Sequence, residues 1–251
     1  MDSTESKENS PTPISSKISW PRPDGFGDTP GYIFGDETST AGVIVMQEWW
    51  GVTEEIKSQA AKIAAAGYRC VVPDLYRGSI GLEAEEAHHL MTSLDWPMAV
   101  VDITGAAQYL LANGCQKVGI IGFCMGGALA LAGAILVNEI DCAAPFYGIP
   151  EPALCDPINC RKPIQAHFGE LDTHESFSDP TAANALKERL QTAGCQFEVI
   201  MYPNAGHAFM NELPESLERQ EKMGMPPENA EARERAWNSV FEFFGAKLKD
   251  S

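Results

Sequence analysis

The chain has 251 residues, of which 44% are hydrophobic and 21% are charged. This length and composition are ordinary for one large globular domain and exclude a small scaffold that depends on disulfide bonds. Lys and Arg number 18 against 35 Asp and Glu, so the formal net charge is −17. Such an acidic chain is poorly suited to nucleic acid or to an anionic membrane surface, and no apolar stretch approaches the roughly 20 residues of a membrane helix. We therefore expect a soluble protein.

The N-terminal residues and the cysteines bear on where the protein works. Residues 1–16 contain Ser, Pro, Glu and Asp without an apolar core, which fits neither a secretory signal nor a transit peptide. We interpret residues 1–18 as a disordered tail and residues 19–251 as one domain. The seven cysteines are an odd number, and none lies in a CxxC pair or at zinc-ligand spacing. Reduced thiols and a cytoplasmic location are the expectation.

Six short apolar runs alternate with amphipathic segments along the chain. The runs are continuously apolar, which is typical of strands buried on both faces of a parallel sheet. The predicted strands cover residues 42–47, 69–73, 117–122, 140–147, 163–168 and 196–202. The predicted helices cover residues 53–66, 82–94, 97–112, 125–138, 180–193 and 229–248. This alternation predicts an α/β fold in which a mostly parallel sheet carries helices on both faces.

Two local signals refine these elements. Asp179 followed by Pro180 is typical of a helix start, with Asp179 as the cap, and Thr53 is placed to cap the first helix. Residues 211–227 are polar, contain prolines and show no clear periodicity. We predict a long surface loop there, before the last helix.

The strongest chemical signal is the segment 122–127, GFCMGG, between the third predicted strand and the helix after it. This pattern is a nucleophile elbow with Cys124 in place of serine. Its glycines let backbone segments pass closely, and the helix start supplies N–H groups and a positive potential that favour a thiolate. A free cysteine is more often a small buried apolar residue, but this context favours Cys124 as the nucleophile.

A nucleophilic thiol needs a base, and the base needs an acid that orients it. In α/β-hydrolase folds these follow in the order nucleophile, acid, histidine. Asp172 comes directly after the fifth predicted strand and His207 after the sixth, at the carboxyl ends where open parallel sheets bind ligands. The order predicts a triad of Cys124, His207 and Asp172. Asp172 as a turn cap, with Glu170 as the acid, is the alternative.

The other histidines are assigned different roles. His88 and His89 are adjacent on a charged helix and are interpreted as solvated, and His167 lies within a strand and is interpreted as a core residue. His174 is too close in sequence to Asp172 to be expected as its imidazole partner. His207 is therefore the predicted base.

Residues 47–51, QEWWG, follow the first predicted strand, where an α/β-hydrolase supplies its second oxyanion N–H group. We assign the backbone N–H groups of Met125 and Trp49 to the oxyanion hole. A carboxylate at the end of an apolar run is costly unless it is paired. We therefore give Glu48 a role in handling the Cys124 proton, with an exposed strand-end acid beside rim tryptophans as the alternative.

Together these residues resemble the dienelactone hydrolase family of α/β-hydrolases. The resemblance rests on six ordered motifs: 47–51 (QEWWG), 73–76 (PDLY), 122–127 (GFCMGG), 146–148 (FYG), 169–172 (GELD) and 205–209 (AGHAF). It implies a Cys–His–Asp triad at Cys124, His207 and Asp172, and a glutamate, Glu48, that contacts the resting thiol. It also implies hydrolysis of small esters or lactones without a metal or cofactor.

The chain departs from the family at the residues that hold a substrate carboxylate. Members that act on dienelactone use one arginine shortly after the Asp-Leu-Tyr motif and another four residues past the catalytic histidine. Here the first is displaced by one residue, to Arg77, and the second position is Asn211. A shifted or single arginine binds an anion less well, so dienelactone itself is not predicted. The predicted substrate-binding residues are Arg77, Trp50, Tyr147 and Asn211.

Two functions from other classes stay open at this stage. A binding protein on the same fold would sense a small ligand without turnover, but it would not need all three triad residues. A thiol redox enzyme would use Cys124, but no second cysteine stands near it in sequence to resolve an oxidised form. The natural substrate and the choice between a monomer and a homodimer also stay open.

Overall fold

Eight strands form one sheet in the computed structural model, which describes residues 15–249. In chain order they are β1 (Ser16–Pro21), β2 (Asp28–Phe34), β3 (Ala41–Met46), β4 (Arg69–Pro73), β5 (Lys117–Phe123), β6 (Cys142–Phe146), β7 (Ile164–Gly169) and β8 (Phe197–Tyr202). Across the sheet their order is β1-β2-β4-β3-β5-β6-β7-β8. The pairs β1–β2 and β2–β4 are antiparallel, and the pairs from β4 to β8 are parallel. The predicted α/β fold is confirmed.

Seven helices connect these strands within residues 15–249. They are α1 (Glu54–Ala65), α2 (Ala84–Thr92), α3 (Trp96–Ala112), α4 (Met125–Leu136), α5 (Pro180–Ala193), α6 (Pro214–Lys222) and α7 (Ala230–Leu248), with a short 3-10 turn at Pro157–Asn159. The side chain of Asp179 accepts hydrogen bonds from the N–H groups of Thr181 and Ala182, as the sequence predicts. Thr53 precedes α1 but its side chain makes no cap hydrogen bond.

Helices cover both faces of the sheet, which explains the continuous apolar runs. In β3, Val43 and Val45 lie in the core layer formed with α1 and α7. Ile44 and Met46 point the other way, into the layer formed with α3, α4 and α5. Since successive side chains of a strand alternate between the faces, a strand buried on both faces has few polar positions.

The two N-terminal strands are not among the predicted strands. They form the antiparallel edge of the sheet, and Trp20 is the one buried residue of β1. An edge strand with mostly exposed positions lacks the apolar run on which the prediction depends. Because β1 begins at Ser16, the domain starts earlier than the predicted residue 19, and the rest of the predicted tail, residues 1–14, lies outside the described residues.

The prediction of a long loop over residues 211–227 is wrong, because α6 occupies the middle of it. The buried residues of this helix are Ser216 and Gln220, which are both polar. An inner face of polar side chains produces no apolar periodicity, so the sequence carries little helical signal. The one local signal is Pro214 at the first helical position.

The cysteines and the helix lengths agree with the sequence analysis. All seven cysteines lie within the described residues and are free thiols, and five of them are buried. None of the helices in residues 15–249 combines the length and the apolarity that a membrane span requires.

A buried carboxylate on α3 ties the N-terminal strands to the rest of the domain. Asp102 is buried, and its Oδ1 accepts a hydrogen bond of 2.5 Å from the Thr29 hydroxyl. The Arg77 Nη2 atom lies 2.9 Å and 2.8 Å from the two carboxylate oxygens, and Arg22 Nε lies 3.7 Å from Oδ1. Removing this acid would leave two arginines beside a buried cavity.

We expect Asp102→Ala to lower the free energy of unfolding by about 2–4 kcal/mol, because a buried network loses its central acceptor. Urea denaturation with comparison of midpoints measures the loss. Asp24→Ala is the matched control, since Asp24 pairs with Arg22 at the more exposed rim and its loss is expected to cost under about 1 kcal/mol. Equal losses in the two variants would contradict a central role for Asp102.

Candidate active site

Cys124 lies at a sharp turn between β5 and α4 with φ 56° and ψ −120°. This left-handed backbone is strained for a residue with a side chain. Two glycines permit it: a Cβ on Gly122 would lie 2.0 Å from the oxygen of Gly126, and a Cβ on Gly126 would lie 2.5 Å from the oxygen of Gln47. The turn has the form that the nucleophile elbow pattern predicts.

Two backbone N–H groups act on the thiol of Cys124. They belong to Met125, the first residue of α4, and to Trp49, which follows β3, and both lower the pKa of the thiol by hydrogen bonding. Burial and the neighbouring Glu48 raise that pKa by more, so it lies well above its ordinary value. The resting group is therefore a thiol, and not the thiolate that the helix start alone favours.

Asp172 and His207 meet at the carboxyl ends of β7 and β8. The Asp172 Oδ2 atom lies 2.7 Å from Nδ1 of His207, and the Ser178 hydroxyl lies 3.1 Å from the same nitrogen. Both triad candidates are buried, whereas Glu170, the alternative acid, is exposed. Burial lowers the pKa of His207, although Asp172 partly restores it. The neutral imidazole therefore has its Nδ1 held by Asp172 and its Nε2 available for chemistry.

His174 also binds Asp172, contrary to the expectation from sequence. Its Nδ1 lies 2.9 Å from Asp172 Oδ1, and its backbone N–H donates to the same oxygen at 3.0 Å. The rings of His174 and His207 lie 4.2 Å apart. Burial raises the pKa of Asp172, but the hydrogen bonds from both histidines outweigh it and hold the pKa well below its usual range.

These three side chains offer donor atoms within 4.8 Å of one another, a spacing compatible with a metal ion. The contacts of Asp172 with His174 and His207 are nevertheless 2.9 Å and 2.7 Å. Ligand atoms around a tetrahedral zinc ion lie roughly 3.3 Å apart, given metal–ligand distances near 2.0 Å. An ion would therefore have to push these groups apart, and their arrangement fits hydrogen bonding better.

A cavity of about 450 Å³ opens above the elbow. Cys124 and His207 both line it, so the structure brings the predicted nucleophile and base to one space. Four further predicted residues line this cavity: Glu48, Trp49, Trp50 and Asn211. Asp172 lies behind His207, outside the cavity wall.

Glu48 is a buried acid at the floor of this cavity. Asn211 Nδ2 donates to its Oε2 at 3.4 Å. Burial raises the pKa of Glu48 to about 8, with a further rise from the nearby Glu55, while Asn211 and Arg219 act in the opposite direction. A carboxyl group with this pKa exchanges its proton near neutral pH, unlike an exposed strand-end acid.

Two predicted substrate-binding residues lie elsewhere. The guanidinium of Arg77 pairs with Asp102, outside the cavity, and its backbone is left-handed with φ 55°. Tyr147 is fully buried behind the site, and its ring packs 5.0 Å from that of His207. Arg77 therefore stabilises the fold, and Tyr147 supports the histidine.

Helix α6 supplies site residues that the sequence analysis missed. The guanidinium of Arg219 lies 4.6 Å from the centre of the Trp50 ring, and both line the cavity. Gln220 donates to the backbone oxygen of Ala208 at 2.6 Å and so holds the loop that carries His207. Since α6 lacks an apolar period, only its contacts reveal these roles.

Helix α6 is itself anchored next to Glu48. The carboxylate of Glu55, on α1, accepts hydrogen bonds from the N–H groups of Glu212 at 3.1 Å and Leu213 at 2.8 Å. Burial raises the pKa of Glu55, and these two N–H groups counteract that rise. Two buried glutamates thus lie under α6, one facing the thiol and one holding the helix start.

Known proteins match most of this chain. The model of the dienelactone hydrolase family matches residues 29–248. Protein usf of Aquifex pyrophilus is 30% identical over 224 residues, which covers 85% of this chain and 91% of that protein. The carboxymethylenebutenolidase of Rhodococcus opacus is 26% identical over 251 residues and covers 93% of this chain and 92% of that protein.

The solved structures show the same fold. A dienelactone hydrolase-like promiscuous phosphotriesterase from metagenomic libraries aligns with a TM-score of 0.79 and 20% identity, covering 94% of this chain and 99% of that chain. At this identity the likeness concerns the fold alone. The family match extends from β2 to the end of α7, and so includes every strand of the parallel sheet. The chain therefore belongs to the dienelactone hydrolase family, a family of ester and lactone hydrolases with the α/β-hydrolase fold.

Proposed function

We propose that this chain hydrolyses small carboxylic esters or lactones through a thioester on Cys124. One observation carries the proposal: Cys124 and a histidine held by Asp172 line the same cavity. The N–H groups of Met125 and Trp49 act on the thiol and support it. A nucleophile, an oxyanion hole and an oriented base are the parts that acyl transfer requires.

In the first half of the reaction, ionised Glu48 accepts the thiol proton and the sulfur bonds to the carbonyl carbon. The N–H groups of Met125 and Trp49 hold the oxyanion, a contribution of about 3–4 kcal/mol per donor. As the bond to the leaving oxygen breaks, the proton passes from Glu48 to Nε2 of His207 and from there to that oxygen. His207 is then neutral and Glu48 is ionised again. The products are the free alcohol and an acyl group on sulfur.

In the second half, His207 Nε2 takes a proton from water, which attacks the thioester carbonyl. The sulfur leaves as a thiolate and recovers that proton from His207, so one water is consumed and the resting thiol returns. Asp172 fixes the ring orientation through Nδ1. A thiolate leaves more readily than an alkoxide, so esters with good leaving groups, such as enol lactones and aryl esters, suit this site better than amides.

The residues that line the cavity give less support to the alternative function of a thiol redox enzyme. A thiol redox enzyme needs a second cysteine to resolve the oxidised sulfur. Among the lining residues within 15–249, Cys124 is the sole cysteine. The ligand-sensing alternative differs from hydrolysis in a directly measurable way, the absence of an acyl adduct.

Cys124→Ala is expected to abolish hydrolysis of p-nitrophenyl acetate, because the thioester cannot form. Mass spectrometry of the wild-type protein after rapid quenching should show one acetyl group on Cys124. Cys195→Ala is the matched control, since this other half-buried thiol lies away from the cavity, and it should keep full activity. Ester binding without either adduct or acid release would favour a sensor and contradict the proposal.

Glu48→Gln is expected to slow ester hydrolysis by about 10²-fold or more, because the acceptor of the thiol proton is lost. The acylation rate of the wild type should rise with pH and level off above about 8, as Glu48 ionises, and this limb should vanish in the variant. The rate at which iodoacetamide alkylates Cys124 should increase in the variant, whereas the rate of hydrolysis decreases. Removing the negative charge of Glu48 lowers the thiol pKa, so the thiol alkylates at lower pH.

The control for this variant is Glu175→Gln, at an exposed glutamate that lines the same cavity. Its hydrolysis rate is expected within about twofold of the wild type, as for an ordinary surface change. Unchanged hydrolysis in Glu48→Gln would remove Glu48 from the mechanism while leaving the thioester intact.

His174→Gln is expected to keep hydrolysis at pH 8 within a few fold and to shift the acidic limb of kcat to higher pH. The shift follows because His174 lowers the pKa of His207, so its removal lets His207 retain a proton to higher pH. Asp172→Asn, by contrast, should lower kcat by about 10³–10⁴-fold. Measured pH–rate profiles separate the two effects, and an unshifted acidic limb in His174→Gln would show that its contact with Asp172 has no influence on His207.

A further inference from the structure

A second cavity, of about 540 Å³, adjoins the one that holds Cys124. Met91, at the end of α2, and Phe177, in the connection between β7 and α5, line both spaces. These two side chains form a shared wall between the cavities. Met91 and Phe177 therefore mark where the two cavities adjoin.

The lining of this second cavity is mostly apolar. Beyond the shared wall, its half-buried hydrophobic side chains are Leu94, Trp96, Ile149 and Leu154. Leu94, Trp96 and Ile149 pack on one side against the buried core and leave their other side open to the cavity. Among the described residues that line it, Glu151 is the sole charged one, and it is exposed. A continuous apolar surface of this kind is typical of a ligand groove.

A third cavity, of about 660 Å³, offers a contrast. It shares one lining residue, the exposed Glu175, with the cavity that holds Cys124. Its wall also carries Asp156, Asp179 and Arg189, and Arg189 forms an ion pair with Asp156. An apolar chain would have to pass a carboxylate to enter this space, whereas Met91 and Phe177 present no such cost.

We propose that the second cavity is a subsite for an apolar chain of the substrate, so that the enzyme prefers esters with a medium-length alkyl or acyl arm over the smallest ones. This inference rests on the proposed ester hydrolysis at Cys124. Each methylene buried there is expected to raise kcat/KM by roughly threefold to fourfold, until the cavity is full.

Two ester series measure this preference. One varies the acyl chain of p-nitrophenyl esters from acetate through butyrate to octanoate, and the other varies the alkyl alcohol of aliphatic acetates over the same lengths. Ala153→Trp places a bulky ring in the second cavity, at an exposed position away from the catalytic residues. Ala185→Trp, at an exposed position of the third cavity, is the matched control.

In one of the two series, kcat/KM of the wild type and of Ala185→Trp should rise at least tenfold from the shortest to the longest chain. In Ala153→Trp the longest ester should lose at least tenfold, while the acetate changes less than twofold. A flat response in both series, or equal losses in the two tryptophan variants, would overturn the subsite. Failure of the proposed hydrolysis at Cys124 gives a different result from failure of the subsite. In that case p-nitrophenyl acetate would not be hydrolysed, or would be hydrolysed equally well by Cys124→Ala.

Discussion

The close contact of backbone with backbone beneath Cys124 is the constraint on which the site depends. The oxygen of Cys124 would lie 2.1 Å from a Cβ on Gly148, just as Gly122 and Gly126 have no room for one. This packing holds Cys124 at a positive φ, and the N–H groups of Met125 and Trp49 act on its thiol. Without the three glycines the strand, the helix and the thiol could not occupy their present positions.

Burial then decides the protonation of the resting site. A low-dielectric surrounding favours neutral forms, and accordingly the pKa values of Cys124 and Glu48 are raised while that of His207 is lowered. Asp172 is the exception, because two imidazoles donate to its two oxygens and keep it ionised. The site thus holds one fixed charge, on Asp172, and a neutral thiol next to a buried acid, Glu48, that exchanges its proton near neutral pH.

The sequence predicts the parts of the molecule that have strong local patterns. The six predicted strands, most of them buried on both faces, appear as apolar runs, and the elbow, Asp172 and His207 follow from motif and order. Strands β1 and β2 and helix α6 are missed because their burial is one-sided or polar.

His174 is misjudged because nearness in sequence does not prevent contact: its backbone N–H and its ring both turn back onto the same carboxylate oxygen. Arg77 is misplaced because a buried acid 25 residues away, Asp102, binds it.

Two of these misses, His174 and helix α6, lie in the wall of the cavity, which bears on specificity. The chemical groups lie at the ends of the parallel strands, where the sheet fixes them and the sequence reveals them. The walls of the cavity come instead from the end of α2, the connection after β7, and α6. Helix α6 is attached by hydrogen bonds to backbone groups: Glu55 accepts from the two N–H groups before the helix, and Gln220 of the helix donates to a backbone oxygen of the loop that carries His207. Contacts to backbone constrain the exposed side chains of α6 little, so the exposed side of this helix can change without displacing Cys124, Asp172 or His207. Proteins with the same sheet and elbow can therefore have cavities of different shape. Substrate specificity then depends on the segments that form the cavity wall, which here are the end of α2, the connection after β7 and α6.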